Sequence, residues 1–85
     1  MGIPLGVLMD YKQILTDIAR ALVDSPDRVS VSETVDGEDI ELVLSVAPED
    51  MGMVIGRHGK IAKAIRTIMK TAATPDGKRI TVEIK

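Results

Sequence analysis

The chain has 85 residues, no cysteine, one histidine and a single aromatic residue, Tyr11. This describes one small domain with a thin core, and it leaves out disulfides, thiolate metal sites, a cysteine nucleophile, a histidine-rich zinc centre and an aromatic base-stacking platform. The formal charge of −2 conceals a division: residues 1–50 hold three basic and eleven acidic groups, or −8, whereas residues 51–85 hold eight basic and two acidic ones, or +6. Such asymmetry either cancels across the fold or marks one face for a polyanion.

Residues 1–8 are apolar and uncharged, without the basic start of a secretory signal. They read as an N-terminal extension, non-native or disordered, and residues 9–85 as the domain. No apolar run reaches the ~20 residues that a membrane-spanning helix needs. Lacking an export signal and cysteines, the chain is expected in the cytoplasm.

Tyr11, Ile14, Leu15, Ile18, Ala19, Leu22 and Val23 follow helical spacing, with Asp10 placed to cap the start and Ser25-Pro26 to end the helix. Val29, Val31 and Val35, then Ile40, Leu42, Leu44 and Val46, alternate with period two around Asp36-Gly37, a strong hairpin signal. They predict antiparallel strands over about 28–35 and 39–46. Pro48-Glu49-Asp50 opens a short helix that Gly56 and Gly59 interrupt. A further helix runs from about Lys60 to Ala73, its apolar members Ile61, Ile65, Ile68, Met69 and Ala72, its basic members Lys63, Arg66 and Lys70 on another face. Thr74 to Gly77 is a turn, and Ile80, Val82 and Ile84 alternate as a last strand.

A helical crossover between the second and third strands predicts that they run parallel, beside the antiparallel hairpin. The expected fold is α+β: a two-layer αββααβ sandwich, a three-stranded mixed sheet with all three helices on one face. Ser30, Ser32, Glu41, Thr81 and Glu83 then face water.

The chemically informative stretch is Val54-Ile55-Gly56-Arg57-His58-Gly59-Lys60-Ile61, with no acidic residue anywhere from Met51 to Ala73. Glycines permit a tight bend, a helix N-terminus offers free amides, and Arg57, His58 and Lys60 add positive charge, which together suit a phosphate. His58 has no nucleophile or carboxylate beside it for general-base work. The acidic hairpin residues Asp36, Glu38, Asp39 and Glu41 lack calcium-loop spacing. Nothing in the pattern points to an enzyme or a cofactor.

The glycine-bracketed loop between two helices, within the αββααβ order, resembles a KH domain of the type II arrangement. From about Met9 to Lys85 the chain is similar to bacterial single-domain KH proteins of the KhpA type. The resemblance implies single-stranded RNA binding. Gly56, Arg57, His58 and Gly59 would hold the sugar–phosphate chain. Ile55 and Ile61 would line an apolar floor under the bases, joined by Ile40 and Leu42 to Leu44. Lys60, Lys63 and Arg66 would supply charge, and the turn Thr74 to Lys78 would form the opposite rim. It further implies an RNA chaperone, acting as a homodimer or as a heterodimer with a KhpB (Jag-like) RNA-binding protein and linked to cell-wall synthesis and cell length. The alternative is a protein-interaction or dimerisation module on the same scaffold.

Overall fold

The computed structural model describes residues 10–85; the expectation about residues 1–8 lies outside them. Helix α1 spans Tyr11–Leu22, strand β1 Ser30–Asp36, strand β2 Asp39–Ser45, helix α2 Met51–Ile55, helix α3 Lys60–Ala73 and strand β3 Arg79–Ile84. Single 3-10 turns at Pro26–Arg28, Pro48–Asp50, Arg57–Gly59 and Thr74–Asp76 join them. The architecture is the expected α+β sandwich. The sheet has the order β1-β2-β3. β1 and β2 are antiparallel, with Val31 opposite Leu44 and Asp36 opposite Asp39, while β2 and β3 are parallel, with Leu42 opposite Val82.

Asp10 caps α1 as its position predicts, its carboxylate accepting the Gln13 N–H at 3.1 Å. The helix ends at Leu22, before the Ser25-Pro26 stop, because Val23 turns to extended backbone (φ −98°, ψ 161°) while its N–H still closes the last turn on the Ala19 carbonyl. Tyr11, Leu15, Ala19 and Val23 form the buried stripe, one every fourth residue. They pack on Val31, Ile40, Leu42 and Leu44 from one face of the hairpin. Val35 shares that face but stays 59% exposed, since the helical layer does not reach the turn end of β1. Ser30, Ser32, Glu41, Thr81 and Glu83 are exposed on the opposite face.

Three sequence-based expectations are corrected here. In α3, Ala62, Ile65, Met69 and Ala73 enter the core, whereas Ile61 and Ile68 are exposed and Ala72 is half-buried. Apolar residues at 61, 62, 64, 65, 68, 69, 72 and 73 cover more than one helix face. The neighbouring elements therefore choose the arc, and the alanines at its two ends let the helix axis approach β3 closely. Ile40, Leu42 and Leu44 are core residues rather than a groove floor, since the helices lie on top of them. Asp50, expected only as an acid in a first helical turn, is fully buried and accepts the Ser25 N–H at 3.0 Å. That bond ties the segment after α1 to the start of α2.

The phenol of Tyr11 donates to the carboxylate of Asp76, joining the start of α1 to the turn before β3. Burial, then the hydrogen bond and the negative charge of Asp76, push this phenol up to about 12. A native pKa above the unfolded one near 10 favours the protonated folded state. Stability from this group is complete below pH 10 and is lost as pH rises towards about 12. Because Tyr11 is the only tyrosine, ultraviolet titration of its phenolate reads the group directly. The native midpoint is expected near 12, and Tyr11→Phe should lose about 1 kcal/mol of unfolding free energy at pH 7. A native midpoint equal to that of the unfolded chain contradicts the bond.

Candidate nucleic-acid interface

The bend between α2 and α3 is built by backbone geometry. Gly56 ends α2 at φ 75°, ψ 173°, a region open essentially to glycine alone. A Cβ at this position would lie 2.3 Å from Cγ1 of Ile61 and 2.9 Å from its Cβ. Ile61 therefore packs directly over the bare backbone of Gly56. Across the turn, the Gly56 N–H bonds the Gly52 carbonyl at 2.9 Å and the Gly59 N–H bonds the Gly56 carbonyl at 3.2 Å. His58 (φ 58°, ψ 23°) and Gly59 (φ 73°, ψ 15°) then take left-handed conformations before α3 begins. No side chain caps the first turn of α3; the Lys60 N–H is taken by the Arg57 carbonyl, and the uncapped helix start favours an anion through its dipole and the amides that follow.

The structure brings the residues singled out in the sequence to one end of the molecule. Arg57, His58, Lys60, Lys63 and Arg66 are all exposed, and Gly56 and Gly59 are half-buried beneath them. Ile55 and Ile61 are each 36% exposed beside the bend. None of these cations is neutralised by a carboxylate: among the described residues the one ion pair joins Arg79 to Asp39 at 2.7 Å, on the sheet.

Sequence reasoning missed the strand wall of the site. A cleft of about 330 Å³ runs between α3 and β3, lined by Lys63, Arg66, Thr67, Lys70, Ile80, Thr81 and Val82. A second cleft shares Lys70 and Ile80 and continues to Thr74, Gly77, Lys78 and Arg79. The two make one trough that starts a helical turn beyond the bend and ends at the turn expected as its rim. No described residue lining it is acidic. Ile80 and Val82 supply the apolar strand side in place of Ile40, Leu42 and Leu44. Alternation identified β3 as a strand, but nothing local says that its free edge lies beside α3. A further depression of about 550 Å³ lies at the sheet by the hairpin and is lined in part by Asp36, Asp39 and Glu41. Its carboxylates repel a polyanion. Among the described residues, no group of histidine and acidic side chains could hold a metal ion, and no helix is long and apolar enough to cross a membrane.

The family model described as KhpA/KhpB, KH domain, matches residues 12–84. The RNA-binding protein KhpA of Clostridium acetobutylicum is 59% identical over 73 residues, covering 86% of this chain and 97% of that protein. The RNA-binding protein KhpA of Caldanaerobacter subterraneus subsp. tengcongensis is 53% identical over 72 residues, 85% of this chain and 96% of its own. That of Listeria monocytogenes is 38% identical over 73 residues, 86% and 96% of the two chains.

The two glycines of the bend are not equivalent. Gly56→Ala forces both a glycine-only φ/ψ and an overlap with Ile61, whereas a Cβ at Gly59 meets nothing within 4 Å. Gly56→Ala should cost about 3 kcal/mol or more by chemical denaturation, and Gly59→Asn less than about 1 kcal/mol. Equal costs at the two positions contradict the contact with Ile61.

Proposed function

The chain belongs to the KhpA/KhpB family of KH domains, and from that premise we propose that it is a single-stranded RNA-binding protein with no catalytic step of its own. One observation carries the proposal: a glycine-bracketed bend, whose cations form no ion pair among the described residues, stands one helical turn from a trough whose described lining contains no carboxylate. The side chains of Arg57, His58 and Lys60 and the amides of Arg57 and His58 hold the sugar–phosphate backbone where Gly56 and Gly59 leave room for it to approach. Ile55 and Ile61 give an apolar edge beside it, and Lys63 and Arg66 extend the positive potential along the trough. A loop of this kind clamps about four nucleotides, which favours weak binding per domain and gains in affinity from a second RNA-binding surface. The reading therefore includes pairing with a second copy or with a KhpB-type protein. It also includes an RNA-chaperone role in the cytoplasm, in post-transcriptional control of cell-wall synthesis and cell length.

A second reading, docking onto another protein, is favoured by the exposed apolar side chains on α2 and α3. Met53 is 38% and Ile68 48% exposed, away from the trough. Salt distinguishes the two. Phosphate contacts lower log K by about 0.7 per contact per decade of salt for a single strand, whereas an apolar interface hardly responds.

Arg57→Asp combined with His58→Asp reverses the charge of the bend at two exposed positions. The double variant should lose at least about tenfold in affinity for an unstructured RNA oligonucleotide, as two phosphate contacts are replaced by repulsion. Its circular dichroism and unfolding midpoint should match the parent chain. Unchanged RNA affinity in the folded variant overturns the proposal.

A further inference from the structure

β3 is an edge strand whose free side faces α3. Its ladder to β2 uses alternate residues, with the Arg79 N–H bonding the Glu38 carbonyl at 2.9 Å and the Lys85 N–H bonding the Leu44 carbonyl at 2.8 Å. Backbone groups of the intervening residues, Ile80, Val82 and Ile84, consequently point away from β2. At the middle of the trough the Val82 carbonyl accepts Nε of Arg66 at 3.2 Å. This bond does two things. It takes up the acceptor that β3 would otherwise present at this level, and it fixes the plane of the guanidinium within the cleft.

A guanidinium has five N–H donors, and one is used here. The two terminal nitrogens keep four, in a fork that matches a pair of adjacent acceptors. Lys63 and Lys70 flank the fork, and no described residue lining this cleft carries a carboxylate that could receive an amino group. Around Arg66 the cleft thus gathers three cationic donor groups, of which the guanidinium is held in a fixed orientation, beside the Thr67 and Thr81 side chains.

We propose that Arg66, anchored to the Val82 carbonyl, is a specificity-determining residue that reads guanine through its O6 and N7 acceptors and discriminates against adenine. Adenine keeps N7 but places an amino donor where guanine has O6, so it turns a donor towards the fork. The inference rests on the RNA-binding reading above and adds a base preference to it.

The test is fluorescence-anisotropy competition with oligouridine strands carrying one central guanosine, adenosine, inosine or 7-deazaguanosine. The guanosine strand should bind at least about fivefold tighter than the adenosine strand, the low end for a bidentate arginine contact. Inosine, which keeps O6 and N7, should match guanosine, and 7-deazaguanosine should fall towards adenosine. These three comparisons use the unaltered protein. Arg66→Lys and Arg66→Ala should bring the guanosine-to-adenosine ratio close to one. Lys63→Ala, in which the fork is intact, should weaken both strands equally and preserve the ratio. A ratio of one in the unaltered protein, or a ratio that survives in Arg66→Lys, overturns the assignment and leaves Arg66 as a phosphate contact. Loss of the base preference alone leaves the RNA-binding reading standing. RNA affinity that survives charge reversal at Arg57 and His58 removes both.

Discussion

The side chain of Ile61 rests on the backbone of Gly56, and the shape of this end of the molecule would not exist without that contact, because it turns the chain back between α2 and α3. A side chain at residue 56 would occupy the volume of Ile61 and hold the two helices apart. With the contact in place, the bend needs only three residues, Arg57, His58 and Gly59, two of them left-handed. So tight a bend has no interior, and its charged side chains can only point outwards. The same packing leaves the first turn of α3 without a side-chain cap, so conformation and electrostatics at this end have one cause.

Charge is sorted between elements rather than between the two layers. Most carboxylates of residues 1–50 lie on α1, the hairpin and the connecting turns, while α3 carries Lys60, Lys63, Arg66 and Lys70 with no acidic residue. Arg79 forms an ion pair with Asp39 at the sheet, yet none of the α3 cations does so among the described residues. Neutralisation across the fold is therefore local, and the basic helix keeps its potential. A net charge of −2 says little about a molecule with five of its 11 lysines and arginines on one helix and its adjoining bend, and no acid among them.

Two part-buried polar contacts hold the frame that carries this helix. Asp50 receives the Ser25 N–H beneath the start of α2, and Tyr11 donates to Asp76 at the turn before β3. Each joins segments distant in sequence, and each lies at an end of the helical layer. The second fixes the turn that closes the trough, so the core on the α1 side and the cleft on the α3 side share a boundary.

The order of elements, the cap at Asp10, the hairpin at Asp36-Gly37 and the span of α3 were legible in the sequence, because each depends on residues a few positions apart. The glycine pair and its cations were legible for the same reason. Tertiary structure alone decided which arc of α3 is core. Ile61 and Ile68 carry the same local signal as Ile65, and only the positions of β3 and α1 distinguish them. It also sent Ile40, Leu42 and Leu44 under the helices and set Ile80 and Val82 along the trough. Alternation tells which residues share a face of a strand, but which element covers that face, and which edge is left unpaired, depends on contacts between residues far apart in the chain.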